Sequence, residues 1–225
     1  HAVPGKYYSM GVILSAGGSL HWFRDAIGAP GMEETGNATT NLYDFLIAEA
    51  EKSPPGARGL FFLPYLAGER TPHMDPDARG AWIGLSLAHR REHLIRAVLE
   101  GVGFAFNDAW ERIVALGLAP SGLRLVGGGA QSELWRKIIA SILNVPLQRL
   151  EIEEGPAFGV ALLAGVGCGM YDTVEEAVER AVRVKGELEE PDPSLVEFYR
   201  PEYKRYIKLY PALKKSGVWR DLAQN

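Results

Sequence analysis

Leu123-Arg-Leu-Val-Gly-Gly-Gly-Ala-Gln-Ser-Glu133 joins a short apolar run, three glycines and the polar opening of a helix. Residues 123–126 read as a buried strand, Gly127-Gly128-Gly129 as a turn and residues 132–143 as a helix. Strand, tight turn and helix in that order build a layered α/β domain. The turn is also a place where backbone can approach a phosphate or sugar, because no Cβ holds the ligand away and the helix's first N–H groups face it. A purely structural tight turn is the alternative reading of the same residues. No G-x-x-x-x-G-K-[ST] occurs in the chain, so this is not a P-loop. A dinucleotide fingerprint is incomplete: Gly127 and Gly129 fit and Glu151 lies near the acidic position, but Ser132 replaces the third glycine.

Working outward, strands and helices keep alternating. Upstream, residues 7–14 read as a strand, Ala16-Gly17-Gly18-Ser19 as a second small-residue turn, and residues 20–27 as a short helix closed by Gly28. Two such turns in one domain point more strongly to a nucleotide cleft than either alone, although each also reads as an ordinary strand–helix connection. Thr39 or Thr40 can cap a helix running to Lys52, with Leu42, Phe45, Leu46 and Ala50 on one face, and Pro54-Pro55-Gly56 stops it. Residues 59–66 and 81–87 read as strands joined by a polar loop. A long helix follows over residues 91–116, its apolar stripe interrupted by Gly101 and Gly103, which read as points of close packing. Downstream come a strand at 146–150, a small-residue helix from Glu154 and Pro156 to Val166, a helix at 173–184, a Pro-Asp-Pro linker and a tyrosine-rich terminal helix broken by Pro201 and Pro211. The alternation predicts one mixed α/β domain, a central sheet with helices on both faces.

Composition narrows the function classes. With 225 residues, 47% hydrophobic and 23% charged, the chain can bury a core without metal or disulfide staples. A net charge of -4, acids and bases intermixed, argues against a nucleic-acid partner. Cys168 is the single cysteine, so neither an internal disulfide nor a thiolate zinc site can form. No apolar run reaches the roughly 18 residues that span a membrane, and a cytoplasmic setting is expected. The absence of an initiator Met reads as a chain cut from a longer protein.

Three polar groups invite a catalytic or metal reading. Glu69, His73 and Asp75 share one loop, where loop hydrogen bonding accounts for them more simply. His89 and His93 have a helical ligand spacing but no third ligand, and read as exposed first-turn histidines. Cys168 has no paired base and reads as a buried or inert thiol.

Gly80-Ala-Trp-Ile-Gly-Leu-Ser-Leu-Ala-His-Arg-Arg-Glu-His-Leu-Ile-Arg-Ala-Val-Leu-Glu100 resembles the second signature of FGGY carbohydrate kinases, with Gly80, Trp82, Gly84, Leu85, His93, Leu94, Ala97, Val98, Leu99 and Glu100 at its fixed positions. Ser15–Asp25, Gly127–Trp135 and Glu154–Gly165 extend the likeness over most of the chain. The run Phe62-Leu-Pro-Tyr-Leu-Ala-Gly-Glu-Arg-Thr-Pro-His73 is most similar to members acting on D-xylulose, and members acting on gluconate carry a similar run. The resemblance implies an actin-like ATPase (ribonuclease-H-like) domain with a mixed central sheet. Residues 1–225 would be the C-terminal, ATP-binding domain, with 191–225 as a helical extension. It places Gly17 and His21 near the phosphates or ribose, Gly128, Gly129 and Ala130 against the adenosine, and Glu133 beside the base. The implied partners are ATP with Mg²⁺, a small sugar, the chain's own N-terminal domain and a second copy as a homodimer. The family's catalytic aspartate and most sugar contacts belong to that N-terminal domain, so no catalytic residue and no metal ligand is assigned here. A non-catalytic nucleotide-binding module of the actin-like superfamily is the reading from another class.

Overall fold

Helix α3 (Arg91–Ala115) is the element the rest packs around. At 1.5 Å per residue it is about 37 Å long, and its apolar positions are not confined to one stripe. Ile95, Val98, Leu99 and Val102 are fully buried, so neighbours press on it from several sides. Each such side chain contributes about 1.5–3 kcal/mol of burial. The two glycines mark the closest approaches: a Cβ on Gly101 would fall on the carbonyl oxygen of Phe62, and one on Gly103 on the end of Ile142. The computed structural model describes residues 2–28, 38–118, 120–152 and 155–223.

The elements packed on α3 arrive in chain order. α1 (Ala16–Ala26) and α2 (Ala38–Glu51) come first, then the antiparallel pair β1 (Phe61–Leu63) and β2 (Ala81–Ile83), with Phe62 opposite Trp82. After α3 come β3 (Leu123–Leu125), a short 3-10 turn at Gly128–Gln131 and α4 (Glu133–Leu143). β4 (Leu147–Leu150), α5 (Gly155–Gly167), α6 (Val174–Ala181) and β5 (Val184–Glu189) follow. The chain closes with α7 (Pro193–Tyr206), α8 (Leu209–Ser216) and α9 (Val218–Ala223). The second sheet is mixed, in the order β3-β4-β5, with β3 parallel and β5 antiparallel to β4.

Several sequence expectations need correction. The described strands form two small sheets rather than one central sheet. Residues 7–14 do not form a strand: no ladder partner stands beside them among the described residues, and Tyr7 is 94% exposed. β3 is half-buried, not buried, because it lies at a sheet edge. The helix expected to Val184 ends at Ala181, and the next residues turn into β5, which no alternation announced. α2 starts at Ala38, so Thr39 and Thr40 lie within its first turn, and Glu154 lies outside the described residues. The terminal helix continues through Pro201 and breaks at Ile207–Lys208, while Pro211 sits in the first turn of α8 where its missing N–H costs little.

The C-terminal helices belong to the same core. Arg96 Nε donates to Glu100 Oε1 at 2.7 Å, Tyr199 OH donates to the same oxygen at 2.8 Å, and Gly56 N–H donates to it at 2.9 Å. One carboxylate thereby ties α3 to α7 and to a left-handed turn, Gly56–Gly59, whose φ angles run 77°, 45°, 58° and 83°.

Candidate functional site

The N-terminus of α1, one face of α2, the glycine turn and the start of α4 enclose a cavity of about 650 Å³. Each wall has a local cause. α1 begins without a side-chain cap and without an acidic residue in its first turn, so its leading N–H groups, at Ala16, Gly17 and Gly18, have no intrahelical partner. A Cβ added at Gly17 or Gly18 would meet no atom within 4 Å, so the backbone here stands open. Across the cavity, Gly127 adopts φ +86°, a conformation glycine supplies without strain, and this swings the chain from β3 into the turn. Ser132 then caps α4 by accepting from Trp135 N–H at 3.1 Å. Trp135 is fixed in turn by donating its indole N–H to Leu99 O at 3.1 Å.

The sequence-assigned residues mostly converge here. Gly17, His21, Gly128, Gly129 and Glu133 line the cavity. Ala130 does not: it is buried behind the turn, its N–H donating to Gly127 O and its carbonyl accepting from Arg136. His21 is exposed, with Nε2 3.1 Å from Asp25 Oδ2 on the next turn of α1. Gly129 differs from its neighbours, since a Cβ there would press on the Trp135 ring at 3.2 Å rather than enter open space.

Sequence reasoning missed the α2 wall. Tyr43, Asp44, Ile47, Ala48 and Glu51 face the cavity, as does Gln131 in the turn. The signal was the 44, 48, 51 spacing opposite the buried Leu46 and Ala50, which by itself reads as a solvated helix face. Asp44, Glu51 and Glu133 make the lining acidic, and no Lys or Arg contributes to it among the described residues. An anionic ligand group would therefore be met by helix N–H groups, while the carboxylates suit hydroxyl and amino donors.

The other polar groups have structural jobs. Glu69 and Asp75 are buried, and their backbones exchange two hydrogen bonds of 2.8 Å. Asp75 Oδ2 accepts from Tyr210 OH and Lys214 Nζ, both at 2.8 Å, and these partners hold its carboxyl below the usual range against the opposing effect of burial. His73 stacks flat on Tyr210 at 3.5 Å. His89 Nδ1 accepts from Ser86 N–H and His93 Nδ1 from Arg90 N–H, so both rings cap backbone; His93 is buried, not exposed. Cys168 is exposed rather than buried. Among the described residues no cluster of His, Cys, Asp and Glu could hold a metal ion, and no helix is long and apolar enough to cross a membrane.

A fold with a helix N-terminus facing a glycine turn across an open cavity is one that nucleotide-dependent phosphotransferases use. The C-terminal domain profile of the FGGY family of carbohydrate kinases matches residues 1–168, and the chain belongs to that family. A xylulose kinase from Staphylococcus epidermidis is 37% identical over 215 residues, covering 96% of this chain and 41% of the relative. A gluconokinase from Bacillus subtilis is 33% identical over 177 residues, covering 78% of this chain and 34% of the relative. The crystal structure of a xylulose kinase from Rhodospirillum rubrum superposes with a TM-score of 0.72 at 35% identity, covering 88% of this chain and 38% of that one. The fold is thus the actin-like ATPase fold of these sugar kinases, and the chain spans about two fifths of the length of the relatives it matches.

Proposed function

We propose that this chain is the ATP-binding half of a kinase that phosphorylates D-xylulose to D-xylulose 5-phosphate. The observation that carries the reading is the convergence of Gly17, His21, Gly128, Gly129 and Glu133, drawn from two distant stretches of sequence, on one cavity. Phosphates would lie against the leading N–H groups of α1, which supply positive partial charge without a basic side chain. The nucleoside would lie between the glycine turn and α2. There Glu133, Asp44 and Glu51 offer acceptors to the base amine and ribose hydroxyls. Mg²⁺ would accompany the nucleotide, its charge offsetting that of the phosphates. Proton removal from the sugar and most sugar contacts are assigned to the N-terminal domain of the longer enzyme, in keeping with the family resemblance. The gluconokinase relative keeps gluconate as the second substrate reading.

The experiment is a coupled assay on the longer enzyme and on this 225-residue chain with ATP and Mg²⁺. The longer enzyme is expected to turn over D-xylulose at roughly 1–100 s⁻¹ and to prefer it to gluconate, and this chain is expected to form no sugar phosphate. Preference for gluconate would replace the substrate, and turnover by the shorter chain would overturn the division of labour.

A further inference from the structure

α7 and α8 dock on the rest of the domain through tyrosines that meet carboxylates. Tyr199, Tyr203 and Tyr206 recur at intervals of four and three, so they share one face of α7. Tyr199 OH donates to Glu100 Oε1 at 2.8 Å and Tyr203 OH to Asp108 Oδ1 at 2.7 Å. On α8, Tyr210 OH and Lys214 Nζ both donate to Asp75 Oδ2. One carboxyl beside this row is left out. Glu69 is buried, its backbone is paired with that of Asp75, and neither of its oxygens is bonded among the described residues. Tyr206, buried close by, likewise keeps a hydroxyl without a partner there. None of these residues lines the nucleotide cavity.

The groups around Glu69 bring it no counter-charge. Tyr65 follows β1, His73 and Asp75 share its loop, Asp108 and Arg112 lie on α3, Tyr206 on α7, and Tyr210 and Lys214 on α8. Lys214 is committed to Asp75, and Arg112 acts on Asp108 and His73. Among the described residues the charge that acts on Glu69 is the carboxylate of Asp108, which repels it. The cover over Glu69 is held unevenly. Its loop is tied down by the two bonds to Asp75 and by Thr71 on Val12, and α7 is anchored by the buried Tyr199, Glu202 and Tyr206. α8 buries none of its residues and α9 only Trp219, whose ring meets Tyr65 and Tyr210. A segment with so few buried contacts opens at the lowest cost.

We infer that Glu69 is a proton-dependent latch: protonated, it lets α8 and α9 close over its loop, and ionised, it draws in water by releasing them about the Ile207–Lys208 break. Burial raises the carboxyl to about 7, so its contribution to closure is full below about 4.5 and is lost as pH rises through about 7. Asp108, raised to about 6, gains charge in the same window and adds repulsion. Asp75, held low, and His73, lowered to about 4, keep one charge state between pH 6 and pH 8 and add nothing to the change.

Amide exchange of the longer enzyme at pH 6 and pH 8, corrected for the intrinsic effect of pH on exchange, tests the latch. The N–H groups of Ala212 and Asp221, bonded to Lys208 O and Gly217 O, report on α8 and α9, and that of the buried Val145, bonded to Ala140 O, reports on the core. Ala212 and Asp221 are expected to exchange through an opening of their own, with protection at least roughly 100-fold below that of Val145. That protection is expected to fall about a further tenfold from pH 6 to pH 8, and Glu69→Gln is expected to remove most of this fall. Protection equal to that of Val145 would overturn the inference, since α8 and α9 would then open only with the whole domain. So would protection that ignores pH in the parent, or a tenfold fall that persists in folded Glu69→Gln. The parent comparison decides the matter even where the variant fails to fold.

Discussion

Glu69 is 3% exposed, and neither of its carboxylate oxygens finds a hydrogen-bond partner among the described residues. Burial pushes its carboxyl up to about 7, and the nearby N–H groups of Thr71 and Arg70 lower it only in part, since neither bonds to it. Burial likewise raises Asp108 to about 6 despite the hydroxyl of Tyr203, and burial together with Arg112 lowers His73 to about 4. The signs differ. A carboxyl raised in the folded state contributes stability that is present below its unfolded value of about 4.5 and is lost as pH rises through about 7. The depressed His73 works the other way, its contribution being lost as pH falls from about 6.5 through about 4. Glu69→Gln removes the first effect alone. Its stability is expected to exceed that of the parent at pH 8, by up to about 3 kcal/mol, and to converge on the parent below about pH 4.5. Thermal melts across that range check it; a pH-independent difference would mean the carboxyl titrates normally.

Between elements, the decisive contacts are the Glu100 carboxylate and the glycines of α3. Glu100→Ala would leave Arg96 buried without its counter-charge and strip Gly56 and Tyr199 of their acceptor, costing roughly 3–5 kcal/mol in urea unfolding. Replacing both partners, Arg96→Met with Glu100→Leu, is expected to cost clearly less; an equal cost would deny the pair its coupling. Gly101→Ala places a methyl on the Phe62 carbonyl and is expected to cost about 1–3 kcal/mol or more, whereas Gly128→Ala, with nothing within 4 Å, is expected to cost little. α3 was legible in the sequence because its apolar residues keep helical spacing along its whole length, and Gly101 and Gly103 announced the close approach of neighbours. The glycine turns were legible because small residues between a strand and a helix have few other uses. β5 was not, since Val184-Lys-Gly-Glu-Leu-Glu189 is largely exposed and becomes a strand only through β4. Residues 7–14 carried a strand pattern, but the pattern alone does not supply a ladder, and none pairs with them among the described residues. The α2 wall was hidden because Asp44 and Glu51 on a helix look the same whether they face water or a ligand.

For the molecule as a whole, one core runs from Leu20 in α1 to Trp219 in α9, so the C-terminal helices are structural parts of the domain rather than a loose tail. This core holds the N-terminus of α1 and the glycine turn on opposite sides of the cavity in which the nucleotide is proposed to lie. Gly129→Val is a poor probe of that arrangement, because its side chain would strike Trp135 whether or not nucleotide binds there. Gly17 and Gly128 are cleaner, since a Cβ at either meets nothing in the protein itself, and Gly167, equally open but outside the cavity, is the control. The direct measurement is ATP affinity of the longer enzyme by calorimetry in Gly17→Val, Gly128→Val and Gly167→Val, with circular dichroism confirming each fold. If the nucleotide lies between α1 and the glycine turn, the first two lose at least tenfold, about 1.4 kcal/mol, and the third is unchanged. Unchanged affinity in folded Gly17→Val and Gly128→Val, or an equal loss in all three, would contradict that placement.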